Sequence, residues 1–200
     1  MNIAPYKFFG IRGFALMYLS DTVKEFTHHK LAGKAVDDWE LGSPCTAHFA
    51  AITTIVNYVC AIGKNEVPSE TGRRRLYEMG MQRIAEHERA LLYALLEGVD
   101  NVPGLRHIKG ITVKMDEPDL SQRDLIIGIE LDSMDCTMAA KYFEEQGVIT
   151  FERRVDSMYS RRMIQCFDSP GMIRISPLHI HSLEDIKQFL RITQQLADKK

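Results

Sequence analysis

Lys7 stands in the stretch Ala4-Pro5-Tyr6-Lys7-Phe8-Phe9-Gly10-Ile11-Arg12-Gly13, among aromatic, proline and glycine residues and just ahead of an apolar run. A lysine desolvated by apolar neighbours loses basicity and becomes an amine nucleophile, the chemistry of a Schiff-base lysine. The same setting also suits a lysine that lays its stem on aromatic surface and keeps its ammonium in water. Ser43, just before Pro44 at the start of a helical pattern, offers a hydroxyl beside free helical N–H groups. That suits an anion, and equally a plain helix cap. Arg174, in Met172-Ile173-Arg174-Ile175-Ser176, presents a planar fork that matches a carboxylate, or pairs with Asp or Glu at a strand edge. His28, His29, His179 and His181 have no carboxylate set at metal-ligand spacing with them, so no metal site is expected. Cys45, Cys60, Cys136 and Cys166 are scattered without a C-x-x-C pair and read as reduced thiols of a cytoplasmic protein.

These side chains need elements to hold them. Residues 14–19 are a short apolar run that fits a strand buried on both faces. Residues 27–42 have no period and read as a loop. A helix is expected from Ser43, with Pro44 in its first turn, to Gly63. A second, longer one is capped by Ser69 or Thr71 and ends near Gly98, with Tyr77, Met81, Ile84, Leu91, Leu92 and Leu95 as its apolar stripe. After Pro103-Gly104 the pattern changes. Strands are expected over 111–115, 125–131, 148–151 and 172–176, with 152–171 irregular. Helices are expected from Asp132 or Ser133 to Gln146 and from the cap Ser182 onward. This reads as a mixed α/β chain: residues 1–102 carry one core strand and two long helices, and residues 103–200 form a small C-terminal α+β domain. The first segment cannot cover its own apolar faces, so the chain reads as beginning inside a larger domain.

Two hundred residues with a formal net charge of −2 offer no basic field for nucleic acid or an anionic membrane. No run is expected to reach the length of a membrane span, and the start lacks the pattern of a signal peptide.

Three stretches, residues 4–13, 39–52 and 172–186, share the order and spacing of one family. The sequence resembles the C-terminal half of the class V aminotransferases, in the cysteine desulfurase-like branch of fold type I pyridoxal-phosphate enzymes. The resemblance covers essentially the whole chain. It implies that residues 1–102 are the tail of the cofactor-binding large domain. It matches Lys7 to the lysine that carries the cofactor covalently, with Gly10 and Gly13 in the turn that follows. Ser43 matches a hydroxyl that helps hold the cofactor phosphate, commonly that of a neighbouring subunit. Arg174 matches the arginine that grips the substrate α-carboxylate, and His179 is retained beyond it. The implied partners are an amino-acid substrate and either a second copy of the chain or a missing N-terminal half, with no nucleic acid and no membrane. Departures are plain. Tyr6 replaces a histidine, a phosphate-contacting serine before Lys7 is absent, and His179-Ile180-His181-Ser182 stands where relatives often have His-Tyr-Asn-Thr. Asp156 falls near the desulfurase nucleophile position, and Cys166 lies too close to Arg174, so transamination, epimerisation or β-elimination is favoured over desulfuration. The alternative is a catalytically inert fragment that serves as an interaction or dimerisation module.

Overall fold

The computed structural model describes residues 1–43 and 45–199. Pro44, expected in the first helical turn, lies outside the described residues. The chain divides into two compact units, Met1–Arg83 and Ile84–Lys200.

In the first unit, β1 (Asn2–Ile3) pairs antiparallel with β2 (Leu16–Met17), and α1 (Asp21–Lys24) follows. The strand expected over residues 14–19 is therefore reduced to Leu16–Met17, and it is not buried. Met17 and Tyr18 are exposed, because its two-residue partner covers neither face. Residues 27–42 form the expected loop, closed by His28 stacked on Trp39 at 3.8 Å. Both ring nitrogens of His28 lie within hydrogen-bond distance of carbonyls, those of Phe26 and Asp38.

The helix expected from Ser43 to Gly63 is displaced: α2 spans Thr46–Glu66, and Cys45 occupies its cap position without a side-chain hydrogen bond. Gly63 does not end it. Gly63 is buried inside α2 where α3 (Arg73–Glu97) crosses, and a Cβ there would meet the Leu76 carbonyl oxygen at 2.0 Å. Gly80 answers from α3, where a Cβ would meet the Val59 carbonyl oxygen at 2.0 Å. Two glycines thus let the backbones touch, which no larger residue permits. α3 starts after Glu70, whose carboxylate accepts the Thr71 and Gly72 N–H groups, rather than from a Ser69 or Thr71 cap. α2 is also long and apolar enough to cross a membrane by length and composition alone, contrary to the expectation from sequence. Its Thr, His and Asn residues interrupt the apolar letters without lowering the mean hydropathy below that of a span.

In the second unit, the end of α3 leads through the tight pair β3 (Gly98–Val99) and β4 (Val102–Pro103) into a four-stranded antiparallel sheet of order β5-β6-β8-β7. The strands are β5 (Ile111–Val113), β6 (Ile127–Leu131), β7 (Phe151–Arg154) and β8 (Gly171–Ile175). β5 ends short of residue 115 because Met115 turns to φ +50°. α4 (Cys136–Glu145) starts three or four residues later than expected, since Asp135 caps it by accepting the Thr137 and Met138 N–H groups. At its other end Gly147 takes φ +78° and the Val148 N–H bonds the Phe143 carbonyl, so Val148 belongs to the helix cap and β7 begins later. Residues 152–171, expected irregular, contain the end of β7 and the short α5 (Arg161–Gln165). α6 (Leu183–Ala197) opens on the expected cap, a reciprocal Ser182–Asp185 capping box.

Strand alternation sorts the sheet. Ile127, Ile129, Ile173 and Ile175 point to one face, where they pack with Leu91, Leu92, Leu95 and Leu96 of α3, Phe143 of α4, and Phe189 and Leu190 of α6. Phe143 and Phe189 stack at 5.3 Å. The core cluster lies wholly in this unit. In the first unit Ile55 and Val59 are buried, whereas Tyr6, Phe9, Ile11, Tyr18, Phe26 and Phe49 are exposed.

Replacing Gly63 or Gly80 by alanine forces backbone apart from backbone, and each substitution is expected to cost about 1–3 kcal/mol. Gly42→Ala, at a glycine with nothing within 4 Å, is the neutral control. Urea unfolding followed by helical circular dichroism measures the difference. Equal midpoints for all three variants would contradict the close crossing.

Candidate functional site

Lys7 ends a single helical turn, Pro5–Lys7. Its N–H bonds the Ala4 carbonyl at 2.9 Å, and the Pro5 carbonyl accepts the N–H groups of both Phe8 and Gly10 at 2.9 Å. Gly10 is required here: a Cβ would meet Pro5 O and Ile55 Cδ1 at 2.8 Å each. The turn is thus clamped against α2, and Phe9 carries the strain of φ +60°. The Lys7 amine lies 5.8 Å from the Tyr6 ring centre. Lys7 is exposed, so the described residues do not desolvate it as the sequence suggested. It borders an apolar groove of about 540 Å³, walled by Pro5, Phe8, Ile52, Ile55, Val56 and Tyr77. An aromatic ring fits such a groove, and the amine at its rim fits an aldehyde.

Ser43 is exposed, in the loop ahead of α2, and does not line that groove. Its capping role is excluded by the start of α2 at Thr46.

Arg174 sits mid-strand on β8, opposite Gly128 on β6 and Phe151 on β7. It is half-buried and, unlike the strand-edge pairing considered from sequence, makes no ion pair among the described residues. It lines two grooves of the second unit. One, of about 430 Å³, also meets His181 and Asp185. The other, of about 310 Å³, opens onto the sheet face away from the core.

His179 lines neither groove. Its side chain is 6 % exposed, with Nδ1 4.0 Å from the Glu88 carboxylate on α3. Burial pushes its pKa below the ordinary value, against the pull of Glu88 and with the push of His87. The adjoining turn is fixed by His181, whose Nδ1 accepts the Leu178 N–H at 3.0 Å, and by His87 Nε2, 2.9 Å from the His181 carbonyl. His87 and Glu88 carried no signal in the sequence, because about ninety residues separate them from this turn.

Asp156, near the expected nucleophile position, is held by a two-pronged contact from Arg154 at 2.9 and 2.5 Å, which keeps its carboxyl below the usual range. Cys166 is an exposed thiol at the end of α5, its sulfur 3.2 Å from the Arg162 carbonyl.

No family model matches the sequence, and no curated protein matches it. Solved structures do. The chain is similar to the cysteine desulfurase CsdA of Escherichia coli, in its S-sulfonic acid form, with a TM-score of 0.65 and 10% identity. That match covers 98% of this chain and 45% of the other. It is also similar to the apo cysteine desulfurase of Thermococcus onnurineus NA1, with a TM-score of 0.60, 14% identity, and 80% and 33% coverage. The chain therefore has the mixed α/β fold of cysteine desulfurase-like proteins, and it spans less than half the length of either one.

The depressed His179 pKa has a sign that can be checked. The unfolded chain takes up this proton near the ordinary value of 6.5, and the folded chain only at lower pH. The stability from a neutral, buried His179 is complete above that value and falls as pH drops below it. Titrating the His179 ring proton by NMR is expected to give a midpoint below 6.5, and His179→Gln to flatten the dependence of the urea midpoint on pH in mildly acid solution. A ring midpoint at or above the ordinary value would contradict the burial argument.

Proposed function

We propose that this chain is the C-terminal portion of a pyridoxal-phosphate enzyme acting on an amino acid. The observation that carries the reading is that Lys7 and Arg174, singled out by the three shared stretches, both border open grooves, and neither is tied up in an ion pair among the described residues. The fold likeness to cysteine desulfurases supports the same class. When bound, the cofactor supplies the electron sink that stabilises negative charge at the substrate α-carbon.

The residues of this chain divide the remaining work. Lys7 Nζ would be the residue that holds the cofactor aldehyde and, as a free amine, would take and return the proton at the substrate α-carbon. The apolar walls beside it would exclude water from a ring held there. The Arg174 fork holds the substrate carboxylate with two parallel hydrogen bonds. Ser43 lies outside the Lys7 groove, which suits a hydroxyl that serves the phosphate of a neighbouring subunit. The favoured reactions are those that begin at the α-proton, namely transamination, epimerisation and β-elimination, ahead of desulfuration. The exposed apolar side chains of the first unit suit a surface covered by a second copy or by an N-terminal half.

The test is reductive trapping. The purified chain is incubated with pyridoxal phosphate, reduced with borohydride, and mapped by peptide mass spectrometry. Labelling is expected to favour Lys7 over exposed lysines such as Lys24 and Lys34 and to vanish from that peptide in Lys7→Ala. Labels scattered without preference would overturn the assignment and leave the inert-module reading standing.

A further inference from the structure

The sheet face opposite the core carries more positive charge than one carboxylate can use. Its groove of about 310 Å³ is lined by four cationic side chains, Lys114, Arg123, Arg153 and Arg174, and by no Asp or Glu. A volume at the lower end of the usual range for small-molecule sites, about 300–1,000 Å³, suits a small ligand. Two of the four cations are already engaged. Lys114 is neutralised by Glu130 at 2.7 Å. Arg123 turns its fork to the Met115 and Lys114 carbonyls. Arg153 gives Nη1–H to the neighbouring Glu152 carbonyl at 2.9 Å, a single contact against the two of Arg123, and makes no ion pair among the described residues.

The register puts the two remaining arginines on one face of adjacent strands. Arg153 pairs with Met172, and Phe151 pairs with Arg174, so Arg153 and Arg174 are diagonal neighbours on the same face of adjacent strands. Such neighbours sit roughly 7–8 Å apart at their bases, close enough for two long side chains to grip the two ends of one small molecule. Gly128 opposes Arg174 from the other side and keeps the floor flat, since a Cβ there would strike the Met172 sulfur at 2.7 Å. Like charges so placed repel and cost stability until an anion lies between them.

We propose that this groove binds an amino acid that carries a second anionic group, with Arg174 on the α-carboxylate and Arg153 on the carboxylate or phosphate of the side chain. The Arg174 half rests on the proposed function, and the Arg153 half stands on the sheet register and charge alone. Arg153 would set substrate specificity by discriminating charge at the far end of the ligand.

L-Glutamate and L-glutamine have the same shape and differ in that one charge. The full chain, labelled with nitrogen-15, is titrated with each, and with O-phospho-L-serine, while the arginine Nε–H signals and the amides of β7 and β8 are followed. Glutamate is expected to saturate at roughly tenfold lower concentration than glutamine, from one charge-assisted contact. Arg153→Gln is expected to bring glutamate down to the glutamine level without weakening glutamine, and Arg153→Lys to restore part of the gap. Phosphoserine binding tighter than glutamate identifies the second group as phosphate, and the reverse order as carboxylate. Equal affinities for glutamate and glutamine, a gap that survives Arg153→Gln, or no shift with any of the three in a folded chain would overturn the proposal. Failure of Lys7 to take pyridoxal phosphate leaves this titration unaffected, so the two readings fall separately.

Discussion

A four-stranded sheet with the core cluster on one face sets the terms for everything else in the second unit. Period-two alternation on β6 and β8 sends Ile127, Ile129, Ile173 and Ile175 into a core with α3, α4 and α6. The same alternation sends Arg174, Met172 and Gly128 the other way. A slip of one residue would exchange the two sets, placing arginine in the core and isoleucine in the groove. Core packing therefore does two tasks with one register: it stabilises the unit and aims the arginine. The capping devices serve that register, with Asp135 and Gly147 bounding α4 and the Ser182–Asp185 box starting α6 where it can cover the sheet.

The first unit rests on a different constraint. Its helices meet through glycine, with Gly63 and Gly80 each facing a carbonyl of the other helix at a distance that excludes any Cβ. This contact joins α2 and α3 without a large apolar core, and Tyr6 and Phe9 beside Lys7 stay exposed. Lys7 itself is positioned by backbone, through the paired hydrogen bonds to Pro5 O and the fit of Gly10 against Ile55. Lys7 is thus an exposed lysine held by its turn beside an apolar groove.

Much of this was legible in the residues. Isoleucine alternation and the Ser182 cap located β6, β8 and α6 to within a residue or two, because burial and capping are local in sequence. Gly63 misled as a helix stop, because a glycine that permits close packing looks the same in sequence as one that ends a helix. The run 14–19 misled because apolar content reports a tendency to be covered, and the two-residue partner β1 does not cover it. Among the candidate residues, Lys7 and Arg174 stood out in the sequence through the three shared stretches. Arg153, His87 and Glu88 did not, because their importance comes from cross-strand register and from a contact between α3 and the turn before α6.

The central claim is that Lys7 is the attachment point for the cofactor. A visible-absorbance titration of the chain with pyridoxal phosphate tests it most directly. The account predicts a Schiff-base band that saturates at one equivalent and is lost in Lys7→Ala. A band that grows without saturation, or that persists unchanged in Lys7→Ala, would contradict it.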